Sequence, residues 1–184
     1  MRIITCICIL LSTLLDVSSL HSGQGSVGNA PFGSSSAYKV SSSGEIAIKT
    51  EHDGRTAVVR IATVTIDRSN KAFPSSRQLS EVFADVRKIT VVKDIEISVD
   101  SHESFVPYSV YASLIEPNKA AVAFEDGEFV LTIRGGDGYW SYFVRIYFNE
   151  ERVYRTRVYD SLFPTEPGEE TNYRIRQVAP SRRR

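Results

Sequence analysis

Apolar side chains recur along most of this chain at every second position, the period of a strand with one buried face. Two Asp-Gly pairs sit between such runs. A two-residue hairpin turn needs positive φ at both central residues, and Asp-Gly adopts it at little cost. Centring one hairpin on Asp53-Gly54 pairs Ile48 with Val59 and Ile46 with Ile61. Centring another on Asp126-Gly127 pairs Phe124 with Phe129 and Val122 with Leu131. Each register gathers its apolar residues on one face, whereas a one-residue slip would scatter them over both.

Between the hairpins, Ile89, Val91, Ile95, Ile97 and Val99 alternate with Lys93 as the only break, which predicts a half-buried strand. The stretch Phe105 to Ile115 alternates through Val106, Tyr108, Val110, Ala112 and Leu114 and predicts another, with Pro107 pushing its start toward an edge or bulge. After Gly135-Gly136-Asp137-Gly138, a strand from Tyr139 to Phe148 would carry Trp140, Tyr142, Val144, Ile146 and Phe148 on one side. A turn at Asn149-Glu150-Glu151 leads into Arg152 to Tyr159. Pairing Phe148 with Arg152, Ile146 with Tyr154 and Tyr142 with Val158 keeps Arg155 and Arg157 out of the core, which a two-residue loop would not. A last strand is expected at Tyr173 to Val178. One segment, Arg77 to Arg87, has a helical period, with Leu79, Val82, Phe83 and Val86 on one face behind Pro74-Ser75-Ser76. These elements predict a mainly β fold, an antiparallel β-sandwich or strongly curved sheet with one short helix at about 77–87.

The N-terminus breaks the alternation. Arg2 precedes an apolar run from Ile3 to Leu15 and then small polar residues, the layout of a secretory signal peptide over 1–19, with cleavage near Ser19. Residues 20–43 are rich in Ser and Gly and read as a flexible linker. A single β-rich domain is expected over 44–178, and 179–184 form a basic disordered tail. Both cysteines, Cys6 and Cys8, fall in the leader, so a mature chain would hold itself together without disulfides. No asparagine begins an N-x-Ser/Thr sequon, in keeping with a bacterial periplasmic or secreted protein.

Composition narrows the function classes. The chain has 184 residues, 42% of them hydrophobic, enough for one domain with a real core. Its 22 basic residues equal its 22 acidic ones, so no global charge draws it to nucleic acid or an anionic membrane. No apolar run is long enough for a membrane span once the leader is removed.

Signs of catalysis are sparse. Asp100, His102 and Glu103 offer ligand-type side chains, but their spacing matches no standard zinc motif and a solvated loop accounts for them; no metal or other cofactor is expected. The sequence has no G-x-S-x-G elbow and no H-E-x-x-H. The glycine cluster at 135–138 is followed by a strand rather than a helix, which argues for a turn and against a phosphate loop. A denser constellation lies on the outer face of the last hairpin, where Phe143, Arg145 and Tyr147 stand beside Val153, Arg155, Arg157 and Tyr159. Guanidinium forks beside aromatic rings suit carboxylates, sugar hydroxyls or an acidic loop, although Arg and Tyr are also ordinary residues of a solvated sheet. Asp137 and Trp140 mark a second candidate surface in the glycine loop.

The expected function is therefore an exported, non-enzymatic binding or accessory protein that recognises a protein or a cell-envelope glycan through a sheet face or loops. The alternatives are a periplasmic hydrolase inhibitor or immunity-type protein, and a hydrolase using Asp100, His102 and Glu103.

Overall fold

The computed structural model describes residues 36–67, 69 and 86–174. The leader, residues 20–35 of the expected linker, the basic tail and all but two residues of the expected helix lie outside them. Those two, Val86 and Arg87, are not helical. Ten strands follow in order: β1 (Tyr38–Lys39), β2 (Gly44–His52), β3 (Arg55–Asp67), β4 (Lys88–Val99), β5 (His102–Ser104), β6 (Pro117–Glu125), β7 (Glu128–Gly135), β8 (Tyr142–Phe148), β9 (Val153–Asp160) and β10 (Glu169–Asn172). They form two antiparallel sheets, one of six strands in the order β1-β6-β7-β8-β9-β10 and one of four in the order β2-β3-β4-β5.

The sheets share one core, in which Ile48, Val59, Ile61, Ile95 and Ile97 meet Val122, Leu131, Ile133, Val144 and Ile146. Removing these β-branched and leucine side chains from water holds the two layers together. The chain passes between layers at backbone-bonded corners. The Val92 N–H donates to the Leu114 carbonyl at 3.1 Å, and the Phe105 N–H donates to that of Glu151 at 2.8 Å. Among the described residues no helix is long and apolar enough to cross a membrane.

Both Asp-Gly hairpins form in the predicted registers. Their turns have φ of 49° at Asp53, 77° at Gly54, 52° at Asp126 and 85° at Gly127. The predicted strand over Ile89–Val99 is β4, and its break at Lys93 is a β-bulge. Ala62 pairs with Asp94 and Thr63 with Val92, so Lys93 is the extra residue. The bulge changes the phase of the strand and puts Val92, rather than Val91, into the core.

Elsewhere the structure corrects the reading. The strand expected over Phe105–Ile115 does not form. After a parallel bridge between Phe105 and Arg152, the chain enters a 3-10 turn at Tyr108–Val110. Pro107 has no N–H for a ladder, and its φ of −62° suits the start of a turn. The turn delivers Val110, Tyr111 and Leu114 to the core together, a spacing that no strand provides. The strand expected from Tyr139 begins at Tyr142, because Gly138–Trp140 is a 3-10 turn.

The β8–β9 register is displaced by two residues, with Ile146 opposite Thr156 and Tyr142 opposite Asp160. Asn149 sets the loop, its side-chain oxygen accepting the N–H groups of Glu151 at 3.0 Å and Arg152 at 2.9 Å. Tyr154 is then the extra residue of a bulge. A displacement of two keeps Arg155 and Arg157 on the predicted face, whereas the bulge turns Val153 into the core, away from the outer face where it was expected.

The domain also begins earlier than residue 44. Tyr38–Lys39 pair with β6, Val40 is buried, and the Thr63 and Thr65 hydroxyls donate to the carbonyls of Ser41 at 2.8 Å and Ser42 at 2.9 Å. At the other end the last strand among the described residues is Glu169–Asn172; of the strand expected at Tyr173–Val178, Tyr173 and Arg174 are outside any strand and residues 175–178 lie outside the described set.

Candidate functional site

The two faces of β8 and β9 divide the chemistry. Residues of odd number from Phe143 to Tyr147 and from Arg155 to Tyr159 point away from the four-stranded sheet, because Val144, Ile146 and Phe148 occupy the core. On that outer face Tyr147 lies at the centre and is buried. Arg155 covers its ring at 4.0 Å, with Arg145 at 5.4 Å and Arg157 at 5.6 Å from the ring centroid. Phe143 and Tyr159 stack beside it with centroids 4.5 Å apart and ring planes nearly parallel. The predicted constellation of Arg145, Tyr147, Arg155, Arg157 and Tyr159 is thus brought together.

Each arginine, however, has its own carboxylate. Arg145 pairs with Glu125, Arg155 with Glu128 at 2.6 Å, and Arg157 with Glu170 at 2.6 Å. The Tyr154 hydroxyl donates to the other oxygen of Glu128 at 2.6 Å. The Glu170 bond holds Arg157 firmly in its charged form, and Arg157 in turn lowers the Glu170 pKa. Burial, together with the bond to Glu128, raises that of Tyr154. Each of these three guanidinium charges is thus neutralised by a carboxylate within the sheet. Glu125 and Glu128 flank the Asp126-Gly127 turn, so the hairpin register already places them at the end of the sheet where they meet arginine. Glu170 becomes a partner because Glu169–Asn172 pairs with β9 as β10.

The glycine loop is built differently. Gly135 lies against the Tyr142 ring, where a Cβ would overlap it, and Gly136, at φ 73°, leaves no room for a Cβ beside the Trp140 carbonyl. Asn118 donates from its amide nitrogen to the Gly136 carbonyl at 3.2 Å, and the Tyr142 hydroxyl donates to that of Ile115 at 2.8 Å. These contacts fix the base of the loop and turn its tip outward. Tyr139 is 71% exposed and Trp140 56%, their rings meeting edge to face at 5.3 Å. Asp137 is exposed at the start of the turn, which it begins without a side-chain cap.

The neighbouring β9–β10 loop supplies what the sequence reading missed. The Ser161 N–H donates to the Ser141 carbonyl at 3.1 Å, which joins the two loops, and here Leu162 is 54% and Phe163 71% exposed. Their signal in the sequence was two large apolar residues between Asp160 and Pro164, where a surface turn would ordinarily be polar. No family model, curated protein or solved structure matches this chain.

The Asp100, His102 and Glu103 group does not assemble into a site. The Asp100 carboxylate accepts the Thr56 N–H at 2.7 Å and Arg55 Nε at 3.0 Å, bonds that stitch the β4–β5 turn to β3 and lower its pKa. His102 and Glu103 are exposed on β5. Among the described residues no three His, Cys, Asp or Glu side chains come together as a metal site.

Proposed function

We propose that this chain is an exported, non-enzymatic binding module that holds a protein or an envelope glycan at the loop end carrying Asp137, Tyr139, Trp140, Leu162 and Phe163. The observation that carries the reading is the exposure of four large apolar side chains on two loops bonded to each other. Scattered exposed apolar residues need no explanation, but a cluster held out on a fixed base marks an interaction surface. Aromatic rings of this kind serve equally on a sugar face or in a protein pocket, where Trp and Tyr dominate binding energy. The Arg/Tyr face ranks second because Arg145, Arg155 and Arg157 already have carboxylate partners within the sheet.

The test is capture from envelope extract and on immobilised envelope polysaccharide, at low and high salt. The double variant Trp140→Ala with Phe163→Ala should lose capture at least tenfold, while wild-type capture persists at high salt because apolar contacts are not screened. Capture lost instead in Arg155→Glu with Arg157→Glu, and sensitive to salt, would move the site to the sheet face. Recovery of an inhibited hydrolase as the captured protein would turn the reading into that of an inhibitor using the same loop.

A further inference from the structure

At the opposite end of the sandwich from these loops, a cleft of about 400 Å³ opens among the β6–β7 turn, the β8–β9 loop and the start of β3. That volume is in the range of small-molecule sites. Its apolar side is the half-buried Phe124, over Phe129 and Phe148, which are buried in the core and stacked with centroids 5.9 Å apart. Its polar lining includes Arg55, Glu128, Arg152 and Tyr154.

These charges are not equivalent. Arg55 is held by Asp100 and Glu150, both at 3.0 Å, and Glu128 by Arg155 and the Tyr154 hydroxyl. Among the described residues Arg152 belongs to no ion pair of this region, and its Nε is buried with no hydrogen-bond partner. The buried, unpaired Nε is a donor that an acceptor entering the cleft would satisfy. The uncompensated charge is a single positive one, and the Glu128 carboxylate lines the same cleft. A dianion such as a phosphate monoester would therefore leave one negative charge unmatched beside Glu128, whereas a carboxylate matches the fork of Arg152 in charge and shape.

We propose that this cleft is a binding site for a monocarboxylate carried on an apolar body, with Arg152 engaging the carboxylate and the half-buried Phe124 ring meeting the body. The site is separate from the loop end and stands whether or not that surface binds a partner. The free acid and the C-terminal carboxylate of a chain ending in an aromatic residue share this chemistry.

The experiment is titration of the isotope-labelled protein by NMR, observing the arginine Nε–H and backbone resonances. The probes are benzoate, N-acetylphenylalanine and the neutral benzamide. A carboxylate probe should give saturable shifts at Arg152, Gly127 and Asn149, with at least tenfold weaker binding by benzamide. Tighter binding of N-acetylphenylalanine than of benzoate would identify a chain terminus as the ligand, and the reverse order a free acid. Arg152→Gln should weaken binding at least tenfold, and Arg157→Gln, on the outer face, should leave it unchanged. If Arg152→Gln does not fold, the carboxylate-to-amide comparison on the unaltered protein still decides. Equal shifts from benzoate and benzamide, absence of saturable shifts, or shifts confined to the outer face would overturn the proposal.

Discussion

Asp100 shows how much one side chain can do in a turn. It takes φ of 50°, followed by Ser101 at 68°, and its carboxylate accepts two hydrogen bonds from the start of β3. Those bonds, first from the Thr56 N–H and then from Arg55, lower its pKa. A depressed carboxylate stabilises the folded chain fully above its unfolded pKa of about 4, and that contribution is lost as pH falls through the lower folded value. Asn tolerates positive φ and retains an oxygen for Thr56, so Asp100→Asn removes mainly the charge. The fall in Tm on acidification below about pH 4 should be shallower in this variant than in the parent. Tyr142 supplies a second test. Its hydroxyl satisfies the Ile115 carbonyl, and burial raises its pKa. Tyr142→Phe leaves that carbonyl unpaired and should cost about 1–3 kcal/mol in urea denaturation.

At the scale of elements, legibility follows how locally each feature is decided. The Asp53-Gly54 and Asp126-Gly127 hairpins were readable in full because turn chemistry and alternation select the same register. No neighbouring atom lies within 4 Å of a Cβ placed at Gly54 or Gly127, so Gly54→Ala and Gly127→Ala test backbone strain alone. Each should cost about 1–2 kcal/mol, with the two registers unchanged by NMR. The β8–β9 register was not readable, because it depends on Asn149 accepting two N–H groups and on a bulge at Tyr154, neither of which alternation records. The face of Arg155 and Arg157 was still read correctly, since a displacement of two residues does not exchange the faces. Lys93 was visible as a break, and only the pairing of β3 with β4 shows that it re-phases the strand. The segment after Pro107 alternates by composition but packs through a turn, where burial of Val110, Tyr111 and Leu114 outweighs β-propensity.

Over the whole molecule the formal charges sum to zero, and three arginines of the outer face are also neutralised locally. The region from Arg152 to Arg184 has eight arginines against four acids, a local basic excess within a chain of zero net charge. Glu125 and Glu128, from a hairpin distant in sequence, neutralise Arg145 and Arg155. That pairing is tertiary and left no trace in local composition. Partly exposed pairs of this kind are worth about 0–1 kcal/mol each. The urea midpoint should therefore change little between low and molar salt, whereas a strong salt dependence would mean that the three pairs act as a cooperative network. Of the candidate site, Trp140 and Asp137 were legible from the glycine loop. Leu162 and Phe163 join them only because the Ser161–Ser141 bond brings two loops together.

The shortness of the outermost strands has a consequence for behaviour in a crowded compartment. A sheet border with free N–H and C=O groups invites another chain to add a strand, and from there polymerisation. Here β5 has three residues, β10 opens with Glu169-Glu170, and β2 carries Glu45, Lys49 and Glu51 along its length. Among the described residues the border of β6 is capped by Tyr38–Lys39 and the Val40 N–H bond to Asn118, with Pro117 withholding an N–H at its start. A chain beginning at Gly44 would expose that border beside Ala120, Ala121 and Val122. In sedimentation it should self-associate at concentrations where the full chain stays monodisperse. Two residues ahead of the first long strand would then act as a guard against fibres.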